Sequence, residues 1–193
     1  MRADSLSSEV KGVFAEIDTA TRDFARISGL ACPTDCGHCC ESPTIEATVL
    51  DCLPLARTWI QRGEAEKWLK SLREWNDQGK TRCPVFQGAS DSRGRCTEYP
   101  DRMSVCRLFG FAAVRDREGK TQVAVCSVMK RSPDLIERAQ RHSKAAPLFV
   151  AFTLKLEAID PTLGTVPMPA PQAMLRALEF AWTEALYQSP TST

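Results

Sequence analysis

The chain has 193 residues, of which 43% are hydrophobic and 25% charged, with a formal net charge of +1. A chain of this size can bury a core without cross-links, and its near-neutral charge excludes a general attraction to nucleic acid or anionic membrane surfaces. No apolar run approaches the roughly 18 residues a membrane span needs, and the opening MRADSLSSEVKG lacks the apolar segment of a secretory signal. A cytoplasmic, thiol-reducing location is therefore the expectation.

Taken in chain order, residues 5–28 show apolar side chains at helical spacing, namely Leu6, Val10, Val13, Phe14, Ile17, Phe24 and Ile27. Gly29 follows where a helix cap belongs. A cysteine-rich loop comes next, broken by Pro33, Gly37 and Pro43. Residues 45–62 read as an interrupted helix, with Pro54 in the first turn of a new segment beginning near Leu53. Beyond Gly63, residues 64–76 carry another apolar stripe that includes Trp68 and Trp75. Core packing is the expected role of these tryptophans and of Trp59. Residues 77–107 are rich in turn chemistry. A β-hairpin is predicted from LFGFAAV and TQVAVCSV, which flank RDREGK with Gly119 in the turn. Ser132 and Pro133 open a further helix, and another runs from Pro147 to about Ile159.

The domain expectation is a metal-binding unit over 1–160 and a Pro-rich connector over 161–171. A C-terminal helix over 172–188 and a disordered tail over 189–193 complete it. The fold class is mainly α, with one small hairpin and irregular Cys-rich loops.

Nine cysteines occur, four of them in CPTDCGHCC at 32–40. An odd number cannot be used up in disulfides, and clustered thiols in a reducing compartment point to metal. Cys32, Cys36, Cys39 and Cys40 form the first group; Cys83, Cys96, Cys106 and Cys126 are dispersed over turns and the hairpin. These eight are the candidate metal ligands, serving one site or two. Gly37 is expected to permit a positive-φ turn there. Tight Cys spacing of this kind holds zinc or iron–sulfur clusters. His38 is an additional nitrogen donor, although thiolate sites do not require imidazole. The neighbours Cys39 and Cys40 diverge from the backbone, which suits different atoms of a cluster or two adjacent sites. Cys52 falls in an apolar helical stretch and is read as a core residue.

Charge is uneven along the chain: net −3 over residues 1–80, +5 over 81–131 and −1 over 132–193. Arg93, Arg95, Arg102 and Arg107 surround Cys96 and Cys106. They could offset thiolate charge by donating toward sulfur.

The pattern CxxxCGxCC at 32–40, CPVF at 83–86, GRCTEYPDRMSVCRLFGF at 94–111 and Cys126 resembles the YkgJ-type cysteine-cluster proteins, also described as the CxxCxxCC zinc- or iron-chelating domain. The first gap is three residues rather than the commoner two. Met103 stands where the family usually has proline. The resemblance implies a metal or iron–sulfur centre without an assigned reaction. A related region in flagellin lysine N-methylases is associated with an iron–sulfur cluster, which inclines the expectation toward [4Fe–4S], with Zn²⁺ as the alternative.

Rival readings differ in class. A structural zinc module that docks a protein needs only closed thiolate sites. The spacing Cys32-x3-Cys36-x2-Cys39 also occurs in radical-SAM enzymes, but repeated βα units are not evident. A thiol oxidoreductase would place Cys36-x2-Cys39 in a βαβ setting, which is equally absent from the pattern. No GxGxxG, P-loop, GxSxG or HExxH motif occurs, and two histidines are too few for a multi-His site. No reaction or substrate is assigned; the expected partner is an unidentified protein or redox partner.

Overall fold

The structure is a computed structural model describing residues 2–80, 82–88 and 93–188. Helix α1 spans Arg2–Ser28 and buries Leu6, Val10, Val13, Phe14, Ile17 and Phe24 along one face. It starts three residues earlier than the apolar spacing indicates. Its first turn is held by the Arg2–Asp160 ion pair and by the Ala3 N–H, which donates to Glu184 at 2.8 Å. It ends at Gly29, whose φ of +75° is one that glycine adopts without strain.

The short strand β1 (Glu46–Ala47) precedes a 3-10 turn, Leu50–Cys52, that leads into α2 (Leu53–Gln61). Pro54 sits in the first turn of α2, as the sequence indicates. Helix α3 covers Ala65–Asp77. Trp59 and Trp68 stack with ring centroids 4.4 Å apart, which fixes α2 against α3. Trp59 and Trp68 thus serve packing, as expected, while Trp75, half-buried, donates its Nε1–H to the Arg82 carbonyl at 3.0 Å.

Two small antiparallel hairpins and a short helix occupy the middle of the chain. β2 (Phe86–Gly88) pairs with β3 (Gly94–Cys96), α4 covers Ser104–Leu108, and β4 (Ala113–Arg115) pairs with β5 (Thr121–Val123). The β4–β5 hairpin is the one anticipated, but its strands are shorter. Leu108 belongs to α4, and Gly110 with φ +87° turns the chain before β4 can begin. The turn closes where Asp116 accepts the Glu118 and Lys120 amides and Gly119 takes φ +80°.

Helices α5 (Pro133–Arg141) and α6 (Phe149–Ile159) follow, then α7 (Pro161–Gly164), β6 (Met168–Pro169) and α8 (Ala170–Gln188). The stretch read as a connector is therefore ordered. Asp160 caps α7 by accepting the Thr162 and Leu163 amides, and β6 pairs with β1. The predicted tail, 189–193, lies outside the described residues.

α8 packs on α2 and α3, while α1 packs on α2, α4 and α6. These helices enclose the main core, centred on Ile17, Leu53, Trp59, Met174 and Leu178. A second, smaller core gathers Phe24, Leu30, Ala113, Met129, Ala139 and Ala146. The cysteine-bearing loops run along the boundary between the two.

Candidate metal centre

The loop leaving α1 is stitched to the β2–β3 hairpin by its backbone. The Gly94 N–H donates to the Asp35 carbonyl at 2.9 Å, Cys36 forms a bridge with Arg93, and the Cys83 N–H donates to the Cys40 carbonyl at 2.9 Å. Gly37 makes this approach possible by its size. A Cβ there would lie 1.9 Å from the Phe86 ring, and its φ is −107°, so the expected left-handed turn is not adopted. Asp35 has the positive φ instead, at 54°. The Phe86 ring also touches the bare Cα faces of Gly88 and Gly94. Three glycines thus let one aromatic ring hold the first cysteine group against the hairpin.

The other cysteines are placed by different elements. Cys96 ends β3 opposite Phe86, and Cys106 lies on α4. Cys126 follows β5, and its Sγ accepts the Met129 N–H at 3.4 Å. All eight candidate cysteines line one open cavity of about 640 Å³. Cys52 does not; it is 1% exposed within the main core, as its apolar surroundings indicate. His38 also lines the cavity, and its Nε2 lies 2.8 Å from Ser127 Oγ. As the side chains lie, no three Cys, His, Asp or Glu groups among the described residues stand close enough to hold an ion.

The donor set favours soft metals. Of the three carboxylates at the cavity wall, Asp18, Asp35 and Glu98, two are already engaged. Glu98 accepts from Trp59 Nε1 at 3.3 Å and pairs with Arg62 at 2.9 Å, while Asp18 pairs with Arg102 and Arg107. What remains in abundance is sulfur, the donor that zinc and iron–sulfur centres take.

Desolvation dominates the thiols. It raises Cys32 to about 11 and Cys83 to about 12, and it raises Cys96 and Cys106 as well. Cys39 departs from the rest because a hydrogen bond with Cys40 stabilises its thiolate and lowers it, while raising Cys40. A metal must therefore displace protons from most of these sulfurs.

Around the cavity, buried charges act as braces. Asp51 accepts the Ser104 N–H at 2.8 Å and the Ser104 hydroxyl at 2.7 Å, which caps α4 two residues before Cys106. Arg107 donates to the carbonyls of Arg102 and Pro100 and to Asp18, with its guanidinium 4.4 Å from the Phe14 ring centroid. Arg102 donates to the Tyr99 carbonyl at 3.1 Å and to Asp18 at 3.3 Å. The bonds of Arg102 and Arg107 run to oxygen, so for these two the expected guanidinium–sulfur bonding gives way to a frame tying loop 99–103 to α1. The charge of Arg102 still favours the Cys96 thiolate, although burial outweighs it.

Met103, the departure from the expected proline, has φ −59°, and the preceding Arg102 has φ −61° and ψ 144°. Both suit a proline at 103. Methionine adds a buried side chain to the main core at a position whose backbone dihedrals a proline would also take.

Comparison with known proteins bears on this architecture directly. The family described as "CxxCxxCC: Putative zinc- or iron-chelating domain" matches residues 31–142, more than half of the chain. The chain belongs to the CxxCxxCC family. The matched span runs from the residue before Cys32 past Cys126 and so contains every cavity cysteine. No curated protein and no solved structure shows significant similarity to the chain. The family description covers zinc or iron and leaves the choice open.

The sequence did not disclose Asp18 and Asp51. Each lies far from the cysteines it supports in the chain, and neither belongs to a local motif. Asp51 precedes Cys52 and α2, yet it accepts the first-turn amide of α4, 53 residues away.

Proposed function

We propose that this CxxCxxCC protein binds iron in iron–sulfur form, with ligands drawn from the thiolates of Cys32, Cys36, Cys39, Cys40, Cys83, Cys96, Cys106 and Cys126 and with [4Fe–4S], which takes four thiolates per cluster, the favoured type. The observation that carries the reading is the single cavity lined by eight of the nine cysteines. Its volume of about 640 Å³ supports a polynuclear centre, since one tetrahedral zinc with sulfur at about 2.3 Å needs much less room. The adjacent Cys39 and Cys40 would bind different metal atoms. The bound group would supply electron-transfer or structural chemistry, while the chain supplies thiolates, burial and the Asp51 and Asp18 braces.

A structural zinc module that docks a protein partner is the second reading, favoured by the burial of Cys83 in the main core and by the family description. Both readings place the protein in the cytoplasm, where thiols remain reduced.

The deciding experiment is anaerobic purification with iron, zinc and acid-labile sulfide measured on one sample, beside its visible spectrum. Brown protein containing iron and sulfide supports the cluster. Colourless protein with stoichiometric zinc and no sulfide overturns it in favour of the zinc module.

A further inference from the structure

We propose that the eight cavity cysteines form two separate four-thiolate sites, an inner one of Cys40, Cys83, Cys96 and Cys106 and an outer one of Cys32, Cys36, Cys39 and Cys126. The inference rests on thiolate chelation at this cavity and holds for either metal.

Packing divides the thiols first. Cys83 is buried in the main core, and Cys40, Cys96 and Cys106 pack against that same core. Cys126 packs instead on the second core, beside Phe111, Val123 and Leu135. Cys32, Cys36 and Cys39 belong to neither core, and Cys32 is exposed. The inner group thus rests on a rigid floor, while the outer group lies between a loop and the second core.

Neighbour relations give the same division for every cysteine but Cys39. Cys40 lies within electrostatic reach of Cys83 and Cys106, and Cys106 within reach of Cys83 and Cys96. Cys32 lies within reach of Cys36, Cys39 and Cys126, and its thiol hydrogen-bonds with Cys36. The Cys83 N–H bond to the Cys40 carbonyl joins two inner members through the backbone.

Cys39 is the shared member: it is hydrogen-bonded to Cys40 and within electrostatic reach of Cys40, Cys83, Cys96 and Cys106 on one side and of Cys32 on the other. The 3-10 turn His38–Glu41 determines how the pair separates. At three residues per turn, successive side chains diverge by about 120°. The two thiols meet in a hydrogen bond; on metal binding each turns to its own quartet, so that one peptide bond links the two sites. Metal binding draws each quartet inward from its present spacing. The inner site is closed by the core, whereas the outer site exchanges with solvent through Cys32.

The test is anaerobic titration of reduced, metal-free full-length chain with Co²⁺, read by its thiolate charge-transfer and tetrahedral ligand-field absorption. The wild type is expected to take up about two equivalents with all-sulfur ligation. The outer variant Cys36→Ser/Cys126→Ser, whose substitutions spare the main core, is expected to take up one equivalent and keep its helical circular dichroism. The inner variant Cys83→Ser/Cys96→Ser is also expected to take up one. In the wild type, a chelator is expected to remove the first equivalent faster than the second. An outer variant that folds but binds no Co²⁺, or still binds two equivalents, overturns the division even if the inner variant fails to fold. Wild-type protein showing no thiolate–Co²⁺ absorption defeats the chelation reading itself, a result distinct from failure of the division.

Discussion

Asp51 is buried, and burial raises its pKa even though Ser104 donates to it twice. A carboxylate kept there must justify its desolvation by what it holds, and what it holds is the first turn of α4, hence Cys106. Asp51→Ala leaves the Ser104 amide without this acceptor and should cost about 2 kcal/mol in chemical denaturation, from loss of a cap and of a hydrogen bond to a charged group. Metal affinity should fall with it, because Cys106 loses its anchor. Cys52 provides the contrast: it is close in sequence but packed in the core away from the cavity wall. Cys52→Ser should leave metal content unchanged while lowering stability. Cys36→Ser and Cys106→Ser should each reduce metal content. Elemental analysis of the three variants separates ligand from core cysteine. The first four cavity cysteines stood out by spacing, since CPTDCGHCC concentrates donors beyond any packing need, whereas Cys83, Cys96, Cys106 and Cys126 are dispersed and were joined to them by the family resemblance. Their braces were not legible, because a carboxylate acting across 53 residues carries no local signature.

Among elements, those with strong periodicity were readable and those made by tertiary contact were not. α1, α2, α3 and α5 follow from apolar spacing and Pro or Gly punctuation. The pairs β1–β6 and β2–β3 are two and three residues long, too short for an alternation signal, and β1–β6 joins segments more than 100 residues apart. α4 was hidden because its cap comes from Asp51. Gly37 illustrates how a correct residue can carry a different reason: its smallness matters where a positive φ was expected. Gly37→Ala would place a methyl inside the Phe86 ring. It should cost about 1–3 kcal/mol by overpacking and loosen the loop from β2–β3. Reduced metal content in a chain that remains helical is the expected result; unchanged stability and metal content would show that the ring simply moves aside.

At the scale of the whole molecule, pH connects stability with the metal centre. Cys32 and Cys83 are raised to about 11 and 12 by desolvation, against an unfolded thiol value of about 8.5. The folded, metal-free chain therefore favours the protonated thiols. Their contribution is fully present below about pH 8.5 and is lost as pH rises through the folded values. Cys39, lowered by Cys40, acts in the opposite direction but is one group against several. The melting temperature of metal-free protein should fall above about pH 9, and bound metal should suppress that fall by taking the thiolates. Toward acid the sign reverses for the loaded protein, because protons compete for sulfur and release metal. Paired thermal melts across both ranges, with and without metal, check the linkage. A metal-free curve parallel to the loaded one would show that the thiols do not govern alkaline stability.

The central claim is that sulfur from this one cavity surrounds the metal. X-ray absorption at the edge of whichever metal accompanies anaerobically purified protein measures that first shell directly. A shell dominated by sulfur at about 2.3 Å is expected, with intensity lost in the Cys→Ser variants of cavity residues and retained in Cys52→Ser. A first shell of oxygen and nitrogen, or one unaltered by those substitutions, would contradict it.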